Sequence, residues 1–399
     1  MLLSFSIFHS FSSVNYKYDL TIIGQLNYSG SLGRLGISIA DCLSPYVKIN
    51  YIRSSGSIKE ANLEQLSLGL KNIILNTDNS PGKVTLVTEH LAHKVIRPLY
   101  KNIKSKIKIA YSMLESTHIP VDWVQTLNND FDAVVVPDLF LVDVYKNSGV
   151  NIPIFVIPIC MYLDDFFKKP IKKVPNSPFT FGTVATFIDR KNNHKLIQAF
   201  INEFGNNKNF CLKIHGRYGN NKALKDKVKK LKLMNVKISE KPISQDKYLK
   251  FLETIDCYVY ISKGEGFSLT PREAMAMGIP CILTDNSAQT TICRTGLVEV
   301  VPSFIKQPFY FSGKQCGFVF DCKINDVKKA MRKVYNKYDD YLKKAEISRG
   351  WVQAYTFSSL FKIFLNIVKP KRVILGHKDI ITQDYLMTKS KLLYYKYTS

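Results

Sequence analysis

The stretch Ser262–Asp285, SKGEGFSLTPREAMAMGIPCILTD, sets two carboxylates, Glu265 and Glu273, eight residues apart around a glycine-flanked turn. A carboxylate accepts a hydrogen bond on each oxygen, which suits the vicinal hydroxyls of a sugar or a ribose. Gly264 and Gly266 would let a ligand approach the backbone closely. A strand ending near Ser262 is followed by this turn and then by a helix expected over about Pro271–Met277, stopped by Gly278 and Pro280. Such a turn lies at the carboxyl edge of a parallel sheet, and its free N–H groups and the helix end favour a phosphate there. A plainer reading stands beside this one. Thr270-Pro271-Arg272-Glu273 has the form of a capping box, with threonine at N-cap, proline at N1 and glutamate at N3, and Glu265 also reads as an exposed loop acid.

The elements that must hold these residues follow from hydrophobic patterning. Short apolar runs alternate with amphipathic segments, the pattern of βαβ units and a parallel sheet. Strands are expected at Tyr18–Gly24, Val47–Ile52, Val84–Thr88, Ile107–Met113, Ala133–Pro137 and Ile154–Pro158, with a helix over about Leu35–Leu43. The lysine- and proline-rich segment Asp164–Ser177 interrupts the pattern and reads as an interdomain linker. A second series then places strands at Phe179–Ala185, Cys211–His215, Val236–Ser239, Cys257–Ser262 and Cys281–Thr284. Helices are expected over about Asn193–Phe204, Ala223–Leu233 and Lys247–Glu253, one long helix over Asn325–Ala345, and another over Trp351–Ile367. The domains are therefore expected at 1–165, 166–350 and a C-terminal helix with a basic tail at 351–399. With 399 residues, 46% hydrophobic and 22% charged, the chain suits two globular domains. Eight scattered cysteines without a Cys-x-x-Cys pair suit buried thiols in a reducing compartment rather than a disulfide frame or zinc site.

The run EGFSLTPREAMAMGIP closely resembles the Glu-x7-Glu signature of glycosyltransferase family 4, retaining enzymes of the GT-B fold. The resemblance implies an α/β protein with two Rossmann-like domains facing each other across a cleft. It implies Glu273 at the donor ribose and Glu265 near the transferred sugar, with the amides of Gly266, Phe267, Ser268 and Leu269 meeting the diphosphate. Thr183–Phe200, TVATFIDRKNNHKLIQAF, is similar to the family's strand, basic turn and helix. Lys191 falls at the position of the lysine that holds the leaving diphosphate. The arginine usual five residues earlier is Thr186 here, with Arg190 as its substitute; without the family, this is a solvated basic turn. The loop LNYSGSLGRLG resembles the family's first glycine loop, which would bring Gly30, Gly33 and Arg34 to the donor phosphates, although a simple tight turn reads the same way. In the acceptor-side domain Glu115 follows a strand and would face the cleft. His118 and His90 also follow strand ends, and each alone reads as structural.

Donors placed where a leaving diphosphate gains charge lower its barrier, and Lys191, Arg190 and a helix amino terminus would supply them. No metal site and no cofactor are assigned. Asp130-Phe131-Asp132 is a superficial Asp-x-Asp with no second ligand evident. The expected partners are a UDP-, GDP- or ADP-sugar donor and a glycan, lipid-linked or protein acceptor. The net charge of +24 fits lysine drift on solvated faces, and also a peripheral contact with anionic membrane; no nucleic acid is expected. Without an apolar run of about 18 residues, and with an amino terminus lacking the marks of a signal peptide, a cytoplasmic location is expected. The competing readings are a GT-B enzyme of another reaction, such as an epimerase or phosphorylase, and a non-enzymatic polyanion-binding scaffold.

Overall fold

The computed structural model describes residues 15–26, 31–55, 66–91, 94, 96–216, 219–241 and 243–369. The first half alternates β1 (Tyr18–Gln25), α1 (Ser31–Leu43), β2 (Ile49–Ser55), α2 (Leu68–Leu75), β3 (Gly82–Thr88), α3 (Arg97–Lys101), β4 (Ile107–Tyr111), α4 (Val121–Asp130), β5 (Ala133–Val136), α5 (Phe140–Asn147) and β6 (Ile154–Val156). These strands form a six-stranded parallel sheet in the order β2-β1-β3-β4-β5-β6. Every residue of β5, AVVV, is buried, as a strand covered on both faces requires.

The second half begins with the short α6 (Asp164–Phe167) inside the linker segment. It continues through β7 (Phe179–Val184), α7 (Asn193–Phe204), β8 (Phe210–Gly216), α8 (Lys222–Lys230), β9 (Val236–Glu240), α9 (Gln245–Glu253), β10 (Cys257–Tyr260), α10 (Leu269–Ala276), β11 (Cys281–Asp285) and α11 (Gln289–Cys293). It ends with β12 (Glu299–Phe311), β13 (Lys314–Cys322), α12 (Ile324–Asn336), α13 (Tyr338–Val352) and α14 (Phe357–Val368). Its seven-stranded sheet runs β13-β12-β11-β10-β7-β8-β9, parallel except for the β12–β13 pair. Strand order reverses between β7 and β10, the place where a doubly wound sheet opens a crevice at its carboxyl edge. The first sheet reverses in the same way between β1 and β3.

Three differences from the sequence expectation have physical causes. The long helix over 325–345 is two helices, α12 and α13, separated by a non-helical Lys337. That break lets the Tyr338 ring meet Phe179 edge-on at 5.2 Å and its hydroxyl donate to the Asp256 carbonyl at 3.3 Å. The helix expected from Trp351 starts only at Phe357, because Thr356 is extended and the preceding residues turn so that Met161 N donates to Tyr355 O at 2.9 Å. The β12–β13 hairpin has no counterpart in the expectation. Pro302 and Pro308 argue against a strand, but β12 tolerates them beside an irregular register, and Ser312 and Gly313 both take positive φ in the turn.

The final helix crosses back to the first half. Phe361 stacks on Tyr46 at 5.3 Å, Phe357 meets Tyr162 at 4.4 Å, and Phe364 is buried in the core around α1. All eight cysteines are buried thiols. The linker is tied down by Asp256, which is fully buried. It pairs with Lys172 Nζ at 2.8 Å and accepts from Asn176 N at 2.9 Å and Thr180 N at 2.7 Å. Breaking a buried pair costs about 3–5 kcal/mol, and partial exposure of Lys172 places this one near the lower end. Asp256→Ala should therefore lower the melting temperature clearly; a melting curve identical to wild type would show that this anchor contributes nothing.

Candidate active site

The loops after β7 and β10 meet at the point where the second sheet reverses. After β7, Asp189–Lys191 form one 3-10 turn, and Asn192, with φ 60°, redirects the chain into α7. After β10, residues 262–268 form the turn before α10. Lys191 Nζ donates to Glu265 Oε1 at 2.5 Å and to the Tyr260 hydroxyl at 2.8 Å. Arg190 Nη1 donates to the same Glu265 oxygen at 3.1 Å and to the Gly264 carbonyl, and its Nη2 reaches Glu115 Oε1 of the first half at 2.8 Å. The structure thus brings Arg190, Lys191, Glu265 and Glu115 into one cluster bridging the two halves.

Burial works against the charges of Glu265, Lys191 and Arg190, and their neighbours decide the outcome. For Glu265, burial raises the pKa, but Lys191 and Arg190 together outweigh it and hold the carboxyl below its usual range. For Lys191, burial and the adjacent Arg190 outweigh Glu265 and Glu115, so its pKa is depressed. Burial also pulls Arg190 down, but Glu115 and Glu265 more than compensate and raise it. Lys191 is therefore a desolvated cation, the form in which a charge acts most strongly on a neighbouring anion. Glu265 is 6% exposed, which corrects the reading of it as an exposed loop acid: two cations hold it inward.

Glu273 lies within α10 and is 1% exposed. Its Oε1 accepts from Arg34 Nη2 across the cleft at 2.6 Å, and its Oε2 from the Tyr248 hydroxyl at 2.7 Å. The capping box expected at Thr270–Glu273 does not form. α10 begins at Leu269, its N-cap is Ser268 with φ 65°, and Thr270 Oγ1 donates to the Val184 carbonyl at 3.3 Å. With Ser268 at N-cap, Glu273 lies two residues past N3, out of reach of the cap, and its side chain turns outward to a charge-assisted bond with Arg34.

The remaining residues singled out in the sequence fall as follows. Gly264 is needed for domain packing, since a Cβ there would lie 2.4 Å from the Glu115 carbonyl; one on Gly266 would press on the flexible Met113 side chain, 3.1 Å from its Sδ. On the side a Cβ would take, the first half packs against both glycines. The Phe267 ring is buried 3.9 Å from the Arg272 guanidinium. Ser268 Oγ is buried and has no partner among the described residues, and Leu269 opens α10. Gly33 and Arg34 stand in the first turn of α1, which starts at Ser31 and not at the expected Leu35. Gly30 lies outside the described residues. His118 is exposed and joined through Nδ1 to Thr117 Oγ1 at 3.1 Å; the His90 ring packs on Trp123 and Phe311. Neither histidine joins the cluster. Asp130 pairs with Arg97, and Asp132 accepts from Lys108 N at 2.7 Å beside the starts of β4 and β5, at the sheet edge away from the cleft. Among the described residues no group of acids, histidines and cysteines is arranged to hold a metal ion.

Sequence reasoning missed Tyr260, Tyr248 and Asn192. Tyr260 ends the strand just before the Glu265 turn, and that position was a usable signal. Tyr248 comes from α9, remote in sequence, and only the packing brings it to Glu273.

Two Rossmann-like domains with their crevice edges facing and charged loops meeting between them define a GT-B fold. Residues 164–349 match the family model of glycosyl transferases group 1. The structure is similar to that of Anabaena Alr3699/HepE in complex with UDP and glucose, with a TM-score of 0.68 and 12% identity over 88% of this chain and 99% of that one. It also resembles sucrose-phosphate synthase from Thermosynechococcus elongatus, with a TM-score of 0.65 and 14% identity over 88% of this chain and 98% of that one. For the pneumococcal O-GlcNAc transferase GtfA in complex with UDP and GlcNAc, the TM-score is 0.53 and the identity 13%, over 72% of this chain and 56% of that one. No curated protein sequence matches the chain. Among the described residues no helix is long and apolar enough to cross a membrane.

Proposed function

We propose that this protein is a glycosyltransferase that moves a sugar from a UDP-sugar to an acceptor hydroxyl, with retention of configuration and without a metal ion. The observation that carries the reading is the desolvated Lys191, joined to Arg190 and Glu265 at the crevice of a GT-B fold. The UDP-bound complexes named for the similar structures support uridine as the base. Glu273 takes the ribose hydroxyls, displacing or sharing the Arg34 contact. The amino end of α10, with the amides of Gly266, Phe267, Ser268 and Leu269, receives the diphosphate, and Gly33 and Arg34 approach it from the first domain. Glu265 stands at the sugar. Lys191, aided by Arg190, meets the negative charge that grows on the leaving diphosphate as the glycosidic bond breaks. Glu115 holds Arg190 in place on the acceptor side. A leaving-phosphate oxygen takes the acceptor's proton, since the cluster offers no free base: Glu265 and Glu115 are both paired with cations. The acceptor is a glycan, a lipid-linked sugar or a protein hydroxyl, and the basic surface favours one held at an anionic membrane.

The test is slow hydrolysis of UDP-, GDP- and ADP-glucose followed by nucleotide release, with and without excess EDTA. Release of UDP, unaffected by chelation, is expected. Loss of all release with EDTA and its recovery with Mn²⁺ or Mg²⁺ would overturn the metal-free arrangement, while turnover of the sugar without nucleotide release would point to an epimerase. A need for orthophosphate would point to a phosphorylase.

A further inference from the structure

The β12–β13 hairpin touches each segment that supplies the charged cluster. On the first half, Gly317 has φ 70°, and a Cβ there would lie 2.7 Å from His118 N, Ser116 Oγ and Thr117 Oγ1, so the hairpin backbone sits directly on the loop after Glu115. Thr117 N donates to Phe318 O at 3.1 Å, Phe318 N donates to Thr117 Oγ1 at 3.0 Å, and Ser116 Oγ donates to Cys316 O at 2.5 Å. Farther along the same strand, Phe320 N donates to Lys263 O at 2.8 Å and holds the turn before Glu265. Asp321 comes next and is buried. Its Oδ1 accepts from Asn192 Nδ2 at 2.7 Å, and its Oδ2 pairs with Lys195 Nζ at 2.5 Å.

Asn192 is the residue immediately after Lys191, and its left-handed backbone sets the angle at which the Asp189–Lys191 turn enters α7. That conformation is disfavoured for a residue with a side chain, less so for asparagine, so it persists only where its surroundings hold it. Asp321 supplies that hold from the far side of the turn, while Lys195 keeps the Asp321 carboxylate ionised and in place. We propose that Asp321 is a positioning residue for sugar transfer: through Asn192 it fixes the turn that aims Lys191 at the leaving diphosphate, and strand β13 registers that turn against the Glu265 and Glu115 loops. The proposal rests on the role given to Lys191 above.

The experiment measures kcat, donor KM, UDP affinity and melting temperature for Asp321→Ala, Asp321→Asn and Asn192→Gly, and repeats Asp321→Ala in a Lys191→Ala background. Displacing a catalytic group by a fraction of an ångström to an ångström costs roughly 10- to 100-fold, so kcat of Asp321→Ala should fall by that order with UDP affinity little changed. Asp321→Asn keeps the acceptor for Asn192 and should recover most of the rate. Asn192→Gly keeps the left-handed backbone but loses the side-chain tie, and should lose kcat like Asp321→Ala even if that variant folds poorly. In the Lys191→Ala background the Asp321 change should cost almost nothing further, because residues acting through one another are not additive. A full additional loss there, or a wild-type kcat in folded Asp321→Ala and Asn192→Gly, would overturn the positioning role while leaving Lys191 intact. A wild-type kcat in Lys191→Ala alone would overturn the reading of Lys191 itself, and this inference with it.

Discussion

Lys191→Ala should cut turnover by roughly 10²–10³-fold, the range for removing one preorganised charge-stabilising group. In the proposed reaction the leaving diphosphate is more negative in the transition state than in the bound donor, so a cation beside it would act mainly on kcat and only weakly on donor affinity. The surroundings of Lys191 make it effective. Its side chain is 10% exposed, its ammonium is held by Glu265 and Tyr260, and water screens it little. The pH dependence carries the same signature. Burial and Arg190 depress the Lys191 pKa below the ordinary lysine value of 10.5, so the cationic form is complete at low pH and is lost as pH rises through that depressed value. The kcat/KM profile, which reports the free enzyme, should therefore fall on its alkaline side earlier than an ordinary lysine would allow. Initial rates across pH for wild type and Lys191→Ala check both statements. A variant with unchanged kcat, or a wild-type profile flat to the ordinary lysine range, would show that Lys191 is only a structural partner of Glu265.

Glu273→Gln is expected to weaken UDP binding on the order of tenfold or more, since a charge-assisted hydrogen bond is worth about 1.5–3 kcal/mol. Helix capping does not enter, because Glu273 makes no bond to the start of α10. The competing role is now a different one, an ion pair that ties α1 to α10 across the cleft. Glutamine keeps the volume and an acceptor oxygen, but removes the charge that faces Arg34 and the Tyr248 hydroxyl. The pair is as buried as Lys172–Asp256, but glutamine keeps an acceptor where alanine would not, so the melting temperature should fall by less than for Asp256→Ala. Calorimetry with UDP and a melting curve on the same sample separate the roles. A lower melting temperature with normal UDP affinity would falsify the ribose assignment and leave Glu273 as a domain tie. Glu265→Gln should give the opposite pattern, with UDP binding spared and transfer reduced.

Much of this molecule was legible from local sequence. The strands that build both sheets are short apolar runs, and covering both faces of a parallel sheet leaves few other residues for those positions. The pair Glu265 and Glu273 and the basic turn at Arg190 and Lys191 were legible for the same local reason, because a turn between a strand and a helix is encoded by adjacent residues. The β12–β13 hairpin was not. Its prolines argue against a strand locally, and only pairing along the sheet edge and against the Ser116–His118 loop makes them tolerable.

Tertiary structure alone decided what the legible residues do with their side chains. Thr270-Pro271-Arg272-Glu273 is a good capping box by spacing, yet the helix starts earlier, at Leu269, and Glu273 pairs instead with Arg34, 239 residues before it. Gly264 and Gly266 look like room for a ligand, and on the side a Cβ would take, Glu115 and Met113 of the other half pack against them. Backbone geometry is set over a few residues by sterics and caps. The partner of a buried charge is set by whichever opposite charge the folded chain brings within reach, and no local pattern carries that information.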